Sequence, residues 1–284
     1  MTVTPTRELM RDAALNSSGI GAFNVIHLET AEALVAAAER AGLPVILQIS
    51  ENCAHYHGGL EPIAVATLAV ARAASVPVAV HLDHAEDEQL AYQAVDLGFG
   101  SVMYDGAHLD YAENVAITAR VAEYAHARGV FVEAELGKVG GKDGAHAPGV
   151  RTDPDEAVSF VATTGVDALA VAVGSSHAMT ERSAALDLEL IARLHAAIDV
   201  PLVLHGSSGV PDHLLVGAIR AGMTKINVST HLNGVFTAAI RQYLAGNPAV
   251  VDSRKYVSVG RASVTEEAAR LIGLFAAASG DDGE

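Results

Sequence analysis

The chain has 284 residues, half of them hydrophobic, a formal charge of −16 and a single cysteine, Cys53. Strong acidity without any basic run argues against a nucleic-acid partner, because phosphate backbones are bound by clustered Lys and Arg. One cysteine rules out an internal disulfide framework and makes the cytoplasm the expected compartment; no apolar stretch approaches the roughly 20 residues of a membrane helix.

Taken in order, the first segment, Met1 to Asn16, alternates Arg7, Glu8, Arg11 and Asp12 with Leu9, Met10 and Leu15, which reads as an amphipathic helix and lacks the apolar core of a signal peptide. Short apolar, β-leaning runs follow at Ile20–Val25, Pro44–Ile49, Pro77–Leu82, Ser101–Tyr104, Val130–Glu135, Ala168–Val173, Leu202–Leu204 and Lys225–Val228. Their near-continuous apolar character indicates strands covered on both faces, as in a parallel sheet. Between them lie Ala-rich helical stretches such as Glu29–Arg40, Ile63–Ala74, Ala112–Arg128 and Leu186–Ala197. Breakers at Gly42-Leu43-Pro44, Val76-Pro77, Val200-Pro201 and Gly222 separate helix from strand. The pattern predicts one α/β domain over residues 1–284, a single (β/α)8 TIM barrel with N-terminal and C-terminal helical extensions; a doubly wound open sheet is the alternative. The C-terminal helix is expected over Thr265–Ala278, and the polar, acidic tail from Ser279 to Glu284 is expected to be disordered.

A barrel of this kind carries its chemistry at the C-terminal ends of the strands. Asp83 and His84, Asp105, Glu133 and Glu135, His177, His205 and Asn227 all fall at or just after such ends. Three histidines from three strands with an acid beside one of them suit a catalytic zinc site, which needs three protein ligands, an open position and an acid/base group. Chance placement is the competing reading, since the chain holds 13 histidines. His81 reads as a packing residue or a support for the ligands. Asp105 and Glu135 are suited either to orienting a ligand histidine or to holding a second cation, and structural acids bonded to loop amides are the plain alternative. The glycine-rich segment Gly137–Gly144 reads as a lid carrying one acid, Asp143. Gly/Ser turns at Gly206–Gly209 and at Val228–Thr230 follow the seventh and eighth strands, where barrels commonly bind phosphate.

Together, Gly21-Ala22-Phe23-Asn24-Val25, His81-Leu82-Asp83-His84, Ser101–Gly106, Val132–Gly137, Leu169–Ala172, Pro201–Gly206 and Lys225-Ile226-Asn227-Val228 resemble the class II, zinc-dependent ketose-bisphosphate aldolases, which act on fructose or tagatose bisphosphate. The resemblance implies reversible cleavage of a phosphorylated ketose to dihydroxyacetone phosphate and an aldehyde through a metal-stabilised enediolate. It implies Zn2+ on His84, His177 and His205, with Asp83 as the acid/base on the C4 hydroxyl and Asp143 as the proton donor to C3. Asp105 and Glu135 match an alternative metal position. Gly206, Ser208, Asn227 and Thr230, with backbone at Val228 and Ser229, would hold the phosphate end. Asn24, Ser50 and Arg254 complete the expected substrate contacts, and a homodimer or homotetramer in carbohydrate metabolism, glycolysis included, is implied. The chain departs from the family pattern at Ala107, Asp143, Ala178 and His231-Leu232-Asn233, which points to altered aldehyde specificity. Three other readings compete: a metal-dependent barrel hydrolase or isomerase, a Schiff-base aldolase using Lys225, and a non-catalytic phosphosugar-binding relative.

Overall fold

A computed structural model describes residues 3–136, 151–175 and 182–279. In chain order the elements are α1 (Thr6–Leu15), β1 (Ile20–Asn24), α2 (Leu28–Ala41), β2 (Val45–Ser50), α3 (Glu51–Tyr56), α4 (Leu60–Ala73), β3 (Val78–Ala85), α5 (Glu88–Asp96), β4 (Ser101–Tyr104), α6 (Tyr111–His126), β5 (Phe131–Leu136) and α7 (Pro154–Thr164). They continue with β6 (Ala168–Val171), α8 (Leu188–Ala197), β7 (Leu202–Leu204), α9 (Asp212–Arg220), β8 (Met223–Val228), α10 (Thr230–Gly246) and α11 (Ser253–Ala276). All neighbouring strands pair in parallel, and β8 returns to β1 through Ile20↔Lys225 and Ala22↔Asn227, closing a (β/α)8 barrel. The open-sheet alternative is excluded by that closure. Among the described residues no helix is long and apolar enough to cross a membrane.

The strands have two different buried faces. Outward residues such as Phe23, Leu47, Val80, Val102, Val132 and Leu204 pack against the surrounding helices. Inward residues form a separate apolar plug of Ile20, Ala22, Ile46, Ala79, Met103, Phe131, Ala168, Ala170 and Val203, which α1 seals from below with Leu9, Met10 and Ala13. Because strand side chains alternate with period two, continuing along the inward face leads from this plug to polar residues. Ile20 and Ala22 lead to Asn24, Ile46 to Gln48, Ala79 to His81 and Asp83, and Phe131 to Glu133 and Glu135. The apolar end holds the barrel together and the polar end is left to chemistry.

Helix starts follow their capping residues. Asp87, Asp110, Asp153 and Asp187 each accept a backbone N–H in the first turn of α5, α6, α7 and α8. Asp153 accepts two, from Asp155 and Glu156, ahead of Pro154. Asp153→Ala is expected to cost about 1 kcal/mol, measurable by denaturant unfolding, with no change in activity. Cys53 is buried, and burial pushes its thiol up to about 11. Iodoacetamide at pH 8 is therefore expected to leave it unmodified until the protein unfolds, as mass spectrometry would read out.

Two boundaries differ from the expectation. β3 runs on to Ala85, and α11 begins at Ser253, well before Thr265. Asp252 explains the second, since its carboxylate accepts from Arg254 N and starts the helix there. Of the expected tail only Ser279 is described, in a 3-10 turn.

Candidate active site

Asp83 and His84 are adjacent on β3, and strict alternation would send them to opposite faces. A register shift between Leu82 and Ala85 breaks the alternation, and His84 sits at φ 48°, a left-handed conformation uncommon outside glycine. The bulge turns both side chains to the barrel mouth. Asp83 is buried, and both its oxygens accept amide hydrogens: Oδ2 from Asn24 Nδ2 at 2.9 Å and Oδ1 from Asn227 Nδ2 at 3.3 Å. Gln48 Nε2 in turn donates to Asn24 Oδ1 at 2.8 Å, which fixes the Asn24 amide with its nitrogen toward Asp83.

His84 and His205 meet beside it. His84 Nε2 lies 2.8 Å from His205 Nδ1. The far nitrogen of each ring is held by a carboxylate, His84 Nδ1 by Asp105 Oδ2 at 2.7 Å and His205 Nε2 by Glu133 Oε1 at 3.0 Å. A carboxylate accepts, so both far nitrogens are the N–H donors and each near nitrogen offers a lone pair toward the other. Two facing lone pairs need a positive centre between or beside them. Burial alone would lower the His84 imidazolium, but Asp83, Asp105 and Glu135 together push it up, so a proton answers that need in the protein alone. The same His84 contact holds the Asp105 carboxyl down against the effect of burial. Burial and the neighbouring Asp105 drive the Glu135 carboxyl well up; its Oε2, 4.0 Å from His84 Nδ1, has no hydrogen-bond partner among the described residues.

This donor set fits a divalent cation. Asp83, His84 and His205 offer ligand atoms within 4.8 Å of one another, and so do His84, Asp105 and Glu135. Imidazoles backed by carboxylates are the usual arrangement around zinc, the carboxylate fixing the tautomer that presents the ligand nitrogen. Asp105 thus takes the orienting role open to it, while Glu135 remains a buried acid at the edge of the same cluster.

The loops after β7 and β8 form a second region of the mouth. Gly206 turns the chain at φ 66°, and Ser207 Oγ donates to the Asn227 carbonyl. Ser208 Oγ accepts from Ser229 N and His231 N at 3.4 and 3.2 Å, tying this loop to the start of α10 behind Val228 and Thr230. His231 is turned away to Glu267, 2.7 Å from its Nε2. Ser50 ends β2 beside Asp83, and its hydroxyl caps α3 by accepting from Cys53 N. Arg254 stands apart from these residues: its side chain is 89% exposed and pairs with Asp252 on its own helix turn. His177 and Asp143 lie outside the described residues.

Sequence reading passed over Lys225 and Glu133 as partners. Lys225 Nζ, buried on the inward face of β8, donates to Glu133 Oε2 at 2.7 Å, and His81, expected to pack or support, lies 3.3 Å from the same ammonium. Burial and the Lys225 charge hold the His81 imidazole well below its ordinary range. An ammonium held in an ion pair under the histidines is poorly placed to form a Schiff base. A charged pair in the middle of two apolar strands was the readable signal, since buried charges require partners.

The family model for class II fructose-bisphosphate aldolase matches residues 4–280. The chain belongs to the class II fructose-bisphosphate aldolase family. It is 41% identical over 268 residues to a fructose-bisphosphate aldolase of Geobacillus stearothermophilus, covering 93% of each chain. The crystal structure of the YdjI aldolase from Escherichia coli K12 superposes with a TM-score of 0.84 at 32% identity, over 96% of this chain and 97% of that one. A fructose-bisphosphate aldolase structure from Campylobacter jejuni gives a TM-score of 0.81 at 21% identity, over 96% of this chain and 95% of that one, a likeness of fold. This class II aldolase family member is accordingly a carbon–carbon lyase of a metal-dependent family. The hydrolase, isomerase and non-catalytic readings are thereby set aside.

Proposed function

We propose that this aldolase uses Zn2+ held by His84, His177 and His205 to cleave a phosphorylated ketose, fructose- or tagatose-bisphosphate-like, into dihydroxyacetone phosphate and an aldehyde. The observation that carries the reading is the meeting of His84 Nε2 and His205 Nδ1 beside the amide-held carboxylate of Asp83. When bound, the metal supplies a Lewis acid that polarises the C2 carbonyl of the ketose and stabilises the charge that develops as the C3–C4 bond breaks.

Asp83 takes the proton of the C4 hydroxyl, with Asn24 and Asn227 aiming its oxygens. The C4 oxygen becomes the carbonyl of the departing aldehyde, and the electron pair of the C3–C4 bond stays with the dihydroxyacetone half. Asp143 returns a proton to C3. Gly206, Ser208 and the turn Val228–Thr230 receive the phosphate at the N-terminus of α10, where backbone N–H groups and the helix dipole favour an anion. Asp105 and Glu133 hold the two ligand histidines, and the Asp105/Glu135 pair supplies a second cation position. Arg254 has the geometry of an exposed helix residue and enters this scheme only through a neighbouring copy in a homodimer or homotetramer, which light scattering would measure.

The test is cleavage of fructose 1,6-bisphosphate and tagatose 1,6-bisphosphate before and after chelation, with zinc restored. Activity lost to chelator and regained with Zn2+ is expected. Zinc-replete protein that turned over neither compound, nor any of a panel of phosphorylated ketoses, would overturn the substrate class.

A further inference from the structure

Beneath the histidines lies a polar layer that the reaction does not touch. Lys225, Glu133 and His81 are each 1% exposed, although apolar residues could fill the same space without the cost of desolvating two ions. From Lys225 the contacts run two ways. Upward, Nζ donates to Glu133 Oε2 at 2.7 Å, and Glu133 Oε1 is 3.0 Å from His205 Nε2. Downward, Nζ is 3.3 Å from His81 Nε2, His81 Nδ1 is 2.8 Å from Ser101 Oγ, and Ser101 Oγ is 2.8 Å from Thr6 Oγ1 in α1.

An ammonium has three donors and no acceptor. Lys225 therefore sets the direction of each bond it enters. His81 Nε2 accepts, so its Nδ1–H donates to Ser101. Glu133 Oε2 accepts from the ammonium and Oε1 from His205, which places the His205 proton on Nε2. The other ring nitrogen, Nδ1, then offers its lone pair toward His84.

We propose that Lys225 is a positioning residue for the metal centre: the ammonium under the barrel mouth, 2.7 Å from Glu133, fixes through that carboxylate the tautomer in which His205 Nδ1 faces the metal. The proposal rests on the metal-dependent reading above and adds what sets the proton on one ligand. It gives the buried ion pair a function beyond stability, because removing the ammonium leaves Glu133 without the donor that orients it.

The experiment uses the metal-free full chain, titrated with Co2+ in the absence of substrate. Affinity is read by competition with a chromophoric chelator and geometry by the visible absorption band, with far-UV circular dichroism as the check on folding. Lys225→Met is expected to fold, to bind Co2+ about 10- to 100-fold more weakly, and to shift the band. Should Lys225→Met fail to fold, Lys225→Met/Glu133→Gln removes both buried charges together. It is expected to fold, to show the same weakened affinity, and to lose the single Nε2–H form of His205 in long-range 1H–15N spectra. Wild-type affinity and band in the folded single variant would overturn the proposal, as would wild-type affinity and tautomer in the double variant. Wild-type protein that bound no Co2+ would overturn the metal reading and the proposal with it, so the two failures are distinguishable.

Discussion

Asp83→Ala is expected to lower kcat by about 10²- to 10⁴-fold while leaving zinc content and the KM for the ketose within a few-fold of wild type. The separation follows from where the carboxylate stands. Both oxygens are occupied by amide N–H groups from strands on either side, β1 and β8, and Gln48 locks the orientation of the first amide. That arrangement aims a proton acceptor without requiring metal contact. Yet Asp83 also lies in the same 4.8 Å cluster as His84 and His205, so a ligand role is the serious rival. Measuring metal by atomic absorption beside the kinetics decides between them: a variant that lost its zinc along with its activity would make Asp83 a ligand. Asp83→Asn is expected to be nearly as inactive, because an amide at this place cannot take the C4 proton and turns an N–H toward the amides of Asn24 or Asn227.

Much of the barrel was legible because its strands are buried on both faces and its helices are bounded by Gly, Pro and Asp. The β4 limits, Ser101–Tyr104, and the β7 limits, Leu202–Leu204, agree with the expectation. What the pattern could not show is the bulge in β3. Reading Asp83 and His84 as neighbours in one site conflicts with alternation, and only the left-handed φ at His84 reconciles them. A positive φ on a histidine has no local sequence signal of the kind glycine gives. The Lys225–Glu133 pair was hidden for another reason: its members are 92 residues apart and meet only when the barrel closes. Arg254 shows the opposite error, in which a basic side chain was credited with a ligand that its own N-cap Asp252 satisfies.

Removing a ligand histidine is expected to have the largest effect on both binding and activity, and the two described histidines should differ in a way the structure explains. In His84→Ala and His205→Ala, zinc affinity is expected to fall by more than about 100-fold, since a site with three protein ligands loses one outright, and aldol cleavage should drop to background. Zinc at about 1,000 times its Kd should stabilise wild-type protein by about 4 kcal/mol, a Tm rise on the order of 10 °C that both variants lose. The metal-free proteins should separate. His84 is the cation among Asp83, Asp105 and Glu135, and its loss leaves the Asp105 carboxylate without its 2.7 Å partner in a buried acidic cluster. His205 leaves behind Glu133, which keeps Lys225. Metal-free His84→Ala should therefore melt below metal-free His205→Ala, by about 1–3 kcal/mol of unfolding free energy, the usual cost of an unpartnered buried polar group. Equal melting temperatures would mean that His84 carries no such charge and that the acids beside it are neutralised in another way.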